Sequence, residues 1–309
     1  MQEKIGNVTL DYEYYPGEDL YSDGPVEEEL LEIAKNYQEK ELNQLIYERN
    51  SWPVLYHFSH IRQNILEWLP IMKEQNVLEI GSGCGPITGV LARKAKSVTC
   101  IDLSKMRSTI NAYRNRECDN VKIMVGNFQD VESSLTEKYD YITLIGVFEY
   151  SQGYIGTAQP YVEMLRRIAR HLAPGGRIVI AIENRLGLKY WAGCTEDHVG
   201  KYFEGLENYP DTRSVRTFSR KELSDIIDQA GAFKTTFYYP YPDYKFPMTI
   251  YSDKRLPKKG ELRDNFCNFD RNRIQLFNEG KVYDSLTDAG LFQEFSNSFL
   301  VIVERKENK

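Results

Sequence analysis

The chain has few cysteines, and none of them is spaced as in a zinc site or a redox motif. Its 309 residues contain five, an odd number, and no two have Cys-x-x-Cys spacing. Isolated thiols of this kind are typical of a reducing compartment. We therefore expect free thiols and a cytoplasmic protein, the five cysteines being Cys84, Cys100, Cys118, Cys194 and Cys267.

Long hydrophobic runs are also missing. A helix needs about 18 consecutive apolar residues to cross a bilayer, whereas the runs at residues 142–148 and 299–303 have the length of strands. The N-terminus lacks the basic start and apolar core of a signal peptide. We therefore expect neither a membrane span nor a secretory leader.

The net charge is −6, so the chain lacks an overall excess of basic residues. Such an excess is typical of proteins that bind phosphate backbones. The acidity is uneven, however. Residues 1–50 contain thirteen acidic and four basic residues, so the rest of the chain carries a small positive charge. Charge alone therefore argues only weakly against a nucleic-acid partner.

What the sequence does have is a regular alternation of short apolar runs and helical patterns. Such alternation is typical of parallel βαβ units. It predicts an α/β fold with a doubly wound, mostly parallel sheet of seven strands. The predicted strands are residues 76–80, 97–101, 121–125, 141–147, 177–182, 235–239 and 298–304.

Three regions follow from the patterning. Apolar residues recur at helical spacing in 25–50, and a second helix is predicted at 53–68, so residues 1–70 are predicted to be an N-terminal helical arm or lid. This arm could cover the active site or mediate a homodimer. Residues 71–240 with 297–309 form the predicted sheet domain. The polar and aromatic stretch 241–296 is predicted to be an inserted substrate or cap subdomain, because structureless loops of this length are uncommon.

The most informative motif is a glycine-rich turn at residues 81–85, between the first predicted strand and a helix. Glycines there let a ligand approach the backbone and the amides of a helix N-terminus. Asp102 ends the next strand, where a carboxylate can accept hydrogen bonds from both ribose hydroxyls. A dinucleotide fold would require glycine at the position of Pro86, and it gives no role to Glu79. Glu79 would instead suit a cationic ligand.

With these residues the chain resembles the class I S-adenosylmethionine (SAM) dependent methyltransferases over about residues 75–240 and the final strand. The resemblance implies SAM as cofactor and S-adenosylhomocysteine as product. It places the first loop residues near the methionine part, Asp102 on the ribose, Asn127 and Phe128 beside adenine, and Gly146 beneath the sulfonium. The implied cofactor-binding residues are Glu79, Gly81, Ser82, Gly83, Asp102, Leu103, Asn127, Phe128 and Gly146.

Known base-methylating motifs are not found. Amino-methylating DNA enzymes carry an Asn/Asp-Pro-Pro-aromatic motif after the fourth strand, where this chain has Gly-Val-Phe-Glu at 146–149. Cytosine-C5 enzymes need a cysteine that follows a proline, and none of the five does. A nucleic-acid acceptor is therefore disfavoured.

The acceptor is expected near residues 182–198, a polar and aromatic loop after the fifth strand. Ligands of open α/β sheets bind outside the carboxyl ends of the strands. The loop resembles methyltransferase modules found with glycosyltransferases in bacterial surface-polysaccharide loci, which implies a small-molecule, sugar or glycan-linked acceptor. A protein, peptide or amino-acid acceptor is an alternative, and a non-catalytic interaction module is another.

Three side chains are candidates for catalysis. His198 is a possible general base because an unperturbed histidine pKa of about 6.5 suits proton removal near neutrality; a surface histidine in a charged loop is the alternative. Glu149 and Glu183 lie near strand ends and could act as bases or as structural hydrogen-bond partners. No metal site is predicted, because His57 and His60 share a helix without a third ligand.

Overall fold

The computed structural model describes residues 1–19, 21–263 and 273–306 as alternating strands and helices. The strands are β1 (Gln2–Ile5), β2 (Val8–Tyr14), β3 (Asn76–Ile80), β4 (Ser97–Asp102), β5 (Val121–Gly126), β6 (Tyr139–Ile145), β7 (Leu172–Glu183), β8 (Phe233–Tyr241), β9 (Thr249–Ser252) and β10 (Ser298–Arg305). Short 3₁₀ turns occupy Glu39–Glu41, His60–Gln63, Glu132–Ser134 and Phe148–Tyr150.

The α-helices range from single turns to three turns in length. They are α1 (Val26–Asn36), α2 (Leu42–Arg49), α3 (Trp52–Phe58), α4 (Asn64–Glu67), α5 (Thr88–Lys94), α6 (Lys105–Arg114), α7 (Phe128–Val131), α8 (Ser151–Tyr154), α9 (Pro160–Arg170), α10 (Leu188–Trp191), α11 (Arg220–Ala230), α12 (Glu279–Asp288) and α13 (Phe292–Phe295). No helix in the described ranges is long and apolar enough to cross a membrane.

The chain divides into two compact units, and β7 belongs partly to each. The first unit consists of Met1–Leu144 and Arg167–Ile178, and the second of Ile145–Arg166 and Val179–Lys309. These bounds differ from the predicted division into an arm, a sheet domain and an insert. The reason is that the N-terminal segment packs with the first strands, a long-range contact that local composition does not reveal.

The strands of the first unit have the spatial order β1-β2-β5-β4-β3-β6. β1 is antiparallel to β2, and all the other neighbours in this set are parallel. The carboxyl ends of β3, β4 and β5 therefore lie at one edge of the sheet. The predicted α/β class and mostly parallel sheet are confirmed, and this edge positions the loops after Ile80, Asp102 and Gly126.

The described residues form ten strands rather than the predicted seven. The three additional strands are β1, β2 and β9, so the N-terminal arm is not purely helical. β1 and β2 lack a long apolar run, because only Val8, Leu10 and Ile5 bury large apolar side chains. A short strand with one buried face has too weak a periodic signal to be distinguished from a polar loop.

The helices of the N-terminal segment belong to the core of the first unit. The predicted helix at 25–50 is in fact two helices, because α1 ends at Asn36 and a capped 3₁₀ turn precedes α2. Their apolar side chains form one buried cluster with residues of α3, the glycine loop and α6. Its members are Leu30, Ile33, Ala34, Leu42, Leu45, Val54, Phe58, Cys84 and Ile110.

In the second unit, β10 pairs antiparallel with β8, and β8 pairs antiparallel with β9. Aromatic rings fill the space beside them: Tyr239 lies edge-on to Phe292, at 5.6 Å between centroids, and Tyr283 packs against Phe292 at 6.1 Å. The described parts of the stretch predicted as an insert, residues 241–263 and 273–296, therefore pack on this unit through aromatic side chains, and residues 264–272 lie outside the described residues. Cys84, Cys100, Cys118 and Cys194 are free thiols, whereas Cys267 lies outside the described residues.

Leu30 tests whether the N-terminal segment is integral to the first unit. We expect Leu30→Ala to lower the free energy of unfolding by about 2–5 kcal/mol, because Leu30 is fully buried and truncation leaves a cavity. Leu31→Ala, at a partly buried neighbour on the same helix, is the control and should have a smaller effect. Urea unfolding followed by circular dichroism measures both, and equal losses would contradict this packing.

Candidate functional site

The glycine loop connects β3 to α5 in the first unit. Gly81, Gly83 and Gly85 have φ angles of 73°, 52° and 74°, a region that side chains other than glycine rarely adopt. The main-chain N–H of Gly81 donates to the carbonyl of Ile101 at 2.8 Å, which attaches the loop to the end of β4. A Cβ atom at Gly83 would meet no atom within 4 Å, so the loop has open space on that side.

Asp102, the last residue of β4, is hydrogen-bonded to the main chain on both sides. Its Oδ2 accepts from the N–H of Gly83 at 2.7 Å, and its Oδ1 accepts from the N–H of Ser104 at 3.0 Å. Burial raises the pKa of Asp102 in spite of these two bonds. Because each carboxylate oxygen can accept two hydrogen bonds, Asp102 retains capacity for two ligand hydroxyls.

Glu79 lies inside the first unit beneath the loop. The hydroxyl of Thr88 donates to Glu79 Oε2 at 2.6 Å, and the thiol of Cys100 lies 3.4 Å from the same oxygen. Burial raises the pKa of Glu79 to about 7. Glu79 thus contacts Thr88 and Cys100, and its expected contact with the methionine part of a cofactor stays a prediction. Sequence reasoning did not single out Thr88, which no motif marks.

The other residues predicted to bind a cofactor follow the carboxyl ends of neighbouring strands in the first unit. The Ser82 hydroxyl is buried and has no hydrogen-bond partner in the described ranges. Leu103 follows Asp102, Asn127 caps α7 by accepting from the N–H of Gln129 at 3.2 Å, and Phe128 is buried. The fold therefore brings together the loops after β3, β4 and β5 at one sheet edge.

Gly146 belongs to the second unit. Its φ is 70°, and a Cβ atom there would lie 2.7 Å from the hydroxyl oxygen of Tyr244. Only glycine therefore leaves room for the Tyr244 ring at the end of β6. Its predicted position beneath the sulfonium stays a prediction.

Asp19 is a site-adjacent residue that sequence reasoning missed. Its carboxylate accepts hydrogen bonds from the Ser104 hydroxyl at 2.9 Å and from the main-chain N–H groups of Lys105 and Met106 at 2.6 and 3.0 Å. It thereby caps α6, directly after Asp102. An acidic residue 85 positions earlier in a polar segment carries no sequence signal for this role.

The second unit brings all three candidate catalytic residues together. The N–H of Gly146 donates to the carbonyl of Ala181 at 2.9 Å, so the ends of β6 and β7 lie side by side. Glu149 follows β6, Glu183 ends β7, and His198 comes from the loop beyond it. His198 Nε2 lies 3.4 Å from Glu149 Oε1 and 3.9 Å from Glu183 Oε2.

His198 is held in one orientation by its own loop. Its Nδ1 lies 2.9 Å from Glu196 Oε1, and Glu196 in turn accepts hydrogen bonds from the N–H groups of His198 and Val199 at 2.7 and 2.8 Å. The Tyr209 hydroxyl also donates to Glu196, at 3.1 Å. The side chain of His198 is 9% exposed, so it lies in a buried carboxylate cluster rather than on the surface.

This environment changes the expected chemistry of His198. Burial by itself lowers the pKa of His198, but hydrogen bonds with Glu149 and Glu196 and the charge of Glu183 raise it well above its usual range. Burial likewise raises the pKa of Glu149. The imidazole is therefore protonated near neutral pH when its carboxylate partners are ionised, which differs from the unperturbed base expected from the sequence.

Two lysines extend the cluster, of which Lys189 is buried and Lys245 partly buried. Lys245 Nζ lies 2.5 Å from Glu183 Oε1 and 2.6 Å from Asp197 Oδ1. Lys189 Nζ lies 2.8 Å from Asp197 Oδ2 and 3.9 Å from Asp243 Oδ2. Burial opposes ionisation of Asp197, yet the two ammonium groups hold the pKa of Asp197 well below its usual range. Lys245 was missed from the sequence because it lies in a different segment from its partners.

The connected cluster has an excess of negative charge. Within residues 1–19, 21–263 and 273–306, five carboxylates contact two lysines and one histidine, the carboxylates being Glu149, Glu183, Glu196, Asp197 and Asp243. A buried excess of this kind favours protons, hydroxyl or ammonium donors, or metal ions as occupants.

Comparison with known proteins gives the family. The profile of a family described as methyltransferase domain matches residues 55–234, more than half of the chain. A methyltransferase of Staphylococcus carnosus (strain TM300), itself described as uncharacterized, is 26% identical over 171 residues, which are 54% of this chain and 74% of that protein.

The fold is also found in a solved structure. This is a complex of the Haloferax volcanii Trm112 methyltransferase activator with a methyltransferase; the similarity covers 88% of this chain and 99% of that chain at 18% identity, with a TM-score of 0.50. At this identity the likeness concerns the fold alone.

The Glu196–His198 contact can be tested by titration. We expect Glu196→Gln to lower the pKa of His198, because an anionic acceptor on Nδ1 is replaced by a neutral amide. The pKa of His198 is measured by nuclear magnetic resonance of the histidine ring carbons as the pH is varied. Glu207→Gln, at an exposed glutamate, is the control. A pKa that does not change, or that rises, would contradict the observed hydrogen bonding.

Proposed function

Because the chain belongs to the methyltransferase domain family, we propose that this SAM-dependent methyltransferase acts on a small polar acceptor. A hydroxyl of a sugar or glycan-linked group is the preferred target. The observation that carries the proposal is the buried cluster of Glu149, Glu183 and His198. It offers oxygen acceptors of the kind that bind and deprotonate a hydroxyl group.

The residues of the first unit fit the cofactor. Open space at Gly83 admits a ligand against the loop, Asp102 has acceptor capacity for two ribose hydroxyls, and the buried Ser82 hydroxyl lacks a partner in the described chain. We propose that these residues hold SAM, with Asn127 and Phe128 beside the adenine. When bound, SAM supplies an electrophilic methyl group on a sulfonium.

Glu149 is the proposed proton acceptor. Its side chain is 1% exposed, and its Oε2 has no hydrogen-bond partner among the residues that the structure describes. An unsatisfied buried polar group costs about 1–3 kcal/mol, so a ligand hydroxyl that donates to Oε2 would be stabilised. General-base catalysis of this kind typically contributes about 10²–10⁴ in rate. His198 and Glu183 would position this carboxylate and the acceptor.

The polar character of the neighbouring loop supports a sugar or glycan-linked acceptor. Sugar hydroxyls both donate and accept hydrogen bonds, and the cluster combines carboxylates with the ammonium groups of Lys189 and Lys245. The resemblance of residues 182–198 to modules that accompany bacterial polysaccharide glycosyltransferases points the same way. The non-catalytic alternative is not retained, because the chain is a methyltransferase.

A second candidate is methylation of an amine on a protein, peptide or amino acid. The negative excess of the cluster favours it, because ammonium groups bind next to buried carboxylates. Incubating the protein with SAM and a panel of monosaccharides, methyl glycosides and amino acids, and measuring S-adenosylhomocysteine, separates the two. Turnover only with the amino acids would overturn the sugar proposal.

A homodimer through the N-terminal arm and a cytoplasmic location also stay predictions. Leu30, Leu42 and Leu45 are buried within the first unit, so a dimer would have to use the other faces of these helices. Sedimentation velocity of the full chain tests the oligomeric state.

Asp102 tests the cofactor assignment. We expect Asp102→Ala to weaken SAM binding by about 10- to 150-fold, which corresponds to about 1.5–3 kcal/mol for a lost charge-assisted hydrogen bond. Isothermal titration calorimetry with SAM measures it, and Asp119→Ala, at an exposed aspartate of the same unit, is the control. An unchanged affinity would exclude Asp102 as the ribose-binding residue.

Glu149 tests the acceptor assignment. We expect Glu149→Gln to lower kcat by about 10²–10⁴, with SAM affinity unchanged, because the amide cannot take up a proton. Release of S-adenosylhomocysteine with the best acceptor of the panel gives kcat, and Glu207→Gln serves as the matched exposed control. Full activity of Glu149→Gln would remove Glu149 as the base.

A further inference from the structure

Three side chains of the second unit direct ligand atoms toward one position. The atoms that Glu149, Glu183 and His198 offer all lie within 4.8 Å of one another. Ligands bound at about 2.0–2.2 Å to a single ion lie about 3–3.6 Å apart in tetrahedral or octahedral geometry. The separations of 3.4 and 3.9 Å from His198 Nε2 are close to that range. We propose that Glu149, Glu183 and His198 bind a divalent transition-metal ion.

Unsatisfied carboxylate oxygens point independently to a ligand at this position. Glu149 is 1% exposed and Glu183 is 0% exposed. Glu149 Oε2 and Glu183 Oε2 have no hydrogen-bond partner among the described parts of the chain. Buried polar atoms are normally satisfied, so oxygens left without a protein donor indicate an ion or a ligand group.

His198 has the arrangement that is usual for a metal-binding histidine. Such a histidine donates its second ring N–H to a carboxylate, which sets the tautomer and directs the other nitrogen at the metal. Here Glu196 Oε1 lies 2.9 Å from Nδ1, and the main chain and Tyr209 hold Glu196 in place. Nε2 is thereby directed between Glu149 and Glu183, where a bound ion would replace the proton that the metal-free imidazole carries.

The charge of the surroundings favours a divalent cation. Among the residues that the structure describes, five carboxylates contact two ammonium groups and one imidazole. Lys245 contacts Glu183 through Oε1, whereas the oxygen nearest to His198 is Oε2. The lysine and the ion would therefore use different oxygens of Glu183.

The donor set indicates the kind of ion. Two carboxylates with one imidazole suit Mn²⁺ or Zn²⁺ better than Mg²⁺, which prefers oxygen ligands. A bound ion would polarise the acceptor oxygen and ease loss of its proton, and Glu149 would bind the ion through one carboxylate oxygen and receive that proton on the other. This catalytic role rests on the proposed function, but ion binding itself does not.

The experiment is a binding titration of the full chain after treatment with a chelator and desalting. Mn²⁺ is added without SAM or acceptor, and electron paramagnetic resonance measures free Mn²⁺; Zn²⁺ is tested by competition. We expect one ion per chain. Glu183→Gln and His198→Ala should weaken Mn²⁺ binding by at least about 100-fold, because each removes a ligand. Glu196 orients the imidazole, so Glu196→Gln should weaken Mn²⁺ binding by about 10- to 100-fold.

Two matched variants control for adventitious binding. Glu207→Gln removes an exposed carboxylate and His60→Ala an exposed histidine, and both should leave Mn²⁺ affinity unchanged. Circular dichroism verifies that each variant is folded. The proposal would be overturned if no stoichiometric ion binds, or if the folded site variants and the folded control variants weaken Mn²⁺ binding equally. In that case His198 would be a histidine that forms ion pairs with its carboxylate neighbours and binds no metal.

The outcomes separate this site from the proposed acceptor. Stoichiometric Mn²⁺ or Zn²⁺ binding that depends on Glu183 and His198 supports the metal site, even if no sugar is methylated. Methylation of a sugar that survives complete metal removal, together with absent ion binding, overturns the metal site and leaves the acceptor proposal intact.

Discussion

Charge compensation around buried carboxylates is the constraint on which the candidate acceptor site depends. An ionised carboxylate in a protein interior is strongly destabilising unless a cation, a hydrogen-bond donor or a proton accompanies it. Glu183, with no exposed surface, contacts Lys245, and Lys245 in turn contacts Asp197. Because Asp197 and Glu183 lie at or after the end of β7 whereas Lys245 lies between β8 and β9, these contacts hold the loop after β7 against the segment that links β8 to β9. These ion pairs therefore help to hold the end of β7 that carries Glu183 and the loop that carries His198.

In the first unit, the buried carboxylate of Asp102 is compensated mainly by main-chain N–H donors. The N–H groups of Gly83 and Ser104 both donate to Asp102, so the conformation of the glycine loop and the position of the carboxylate depend on each other. The carboxylate of Asp19 likewise accepts hydrogen bonds from main-chain N–H groups at the start of α6. Preorganised groups of this kind reduce the ordering that a ligand would have to impose, which favours tight binding of a cofactor.

Family membership and site geometry make different contributions to the functional conclusion. The family establishes methyl transfer with SAM as cofactor, and the glycine loop with Asp102 is the proposed place where SAM binds. Neither identifies the acceptor. That step depends on the oxygens of Glu149 and Glu183, on the orientation of His198 by Glu196, and on the excess of negative charge, which together favour a donor-rich acceptor or a cation.

Most of the parallel core could be predicted from the sequence. The predicted strand at 76–80 coincides with β3, and the strands that became β4 and β5 differ by a single residue, because each is a short run rich in buried apolar side chains and is bounded by turn residues. The N-terminal strands β1 and β2 could not be predicted, because one face of each remains polar. Motif spacing likewise indicated Gly83 and Asp102, since successive parallel strands must end at the same edge.

The sequence by itself determined the α/β class, the glycine loop with its acidic partner, and the membership of Glu149, Glu183 and His198 in a candidate set. Only the tertiary structure decided how these last three residues relate to one another. They lie in separate segments, and their protonation and their capacity to bind an ion depend on Glu196, Lys245 and burial. The physical reason is that residue type and spacing are local properties, whereas the electric field at a buried carboxylate is the sum over groups that folding brings together.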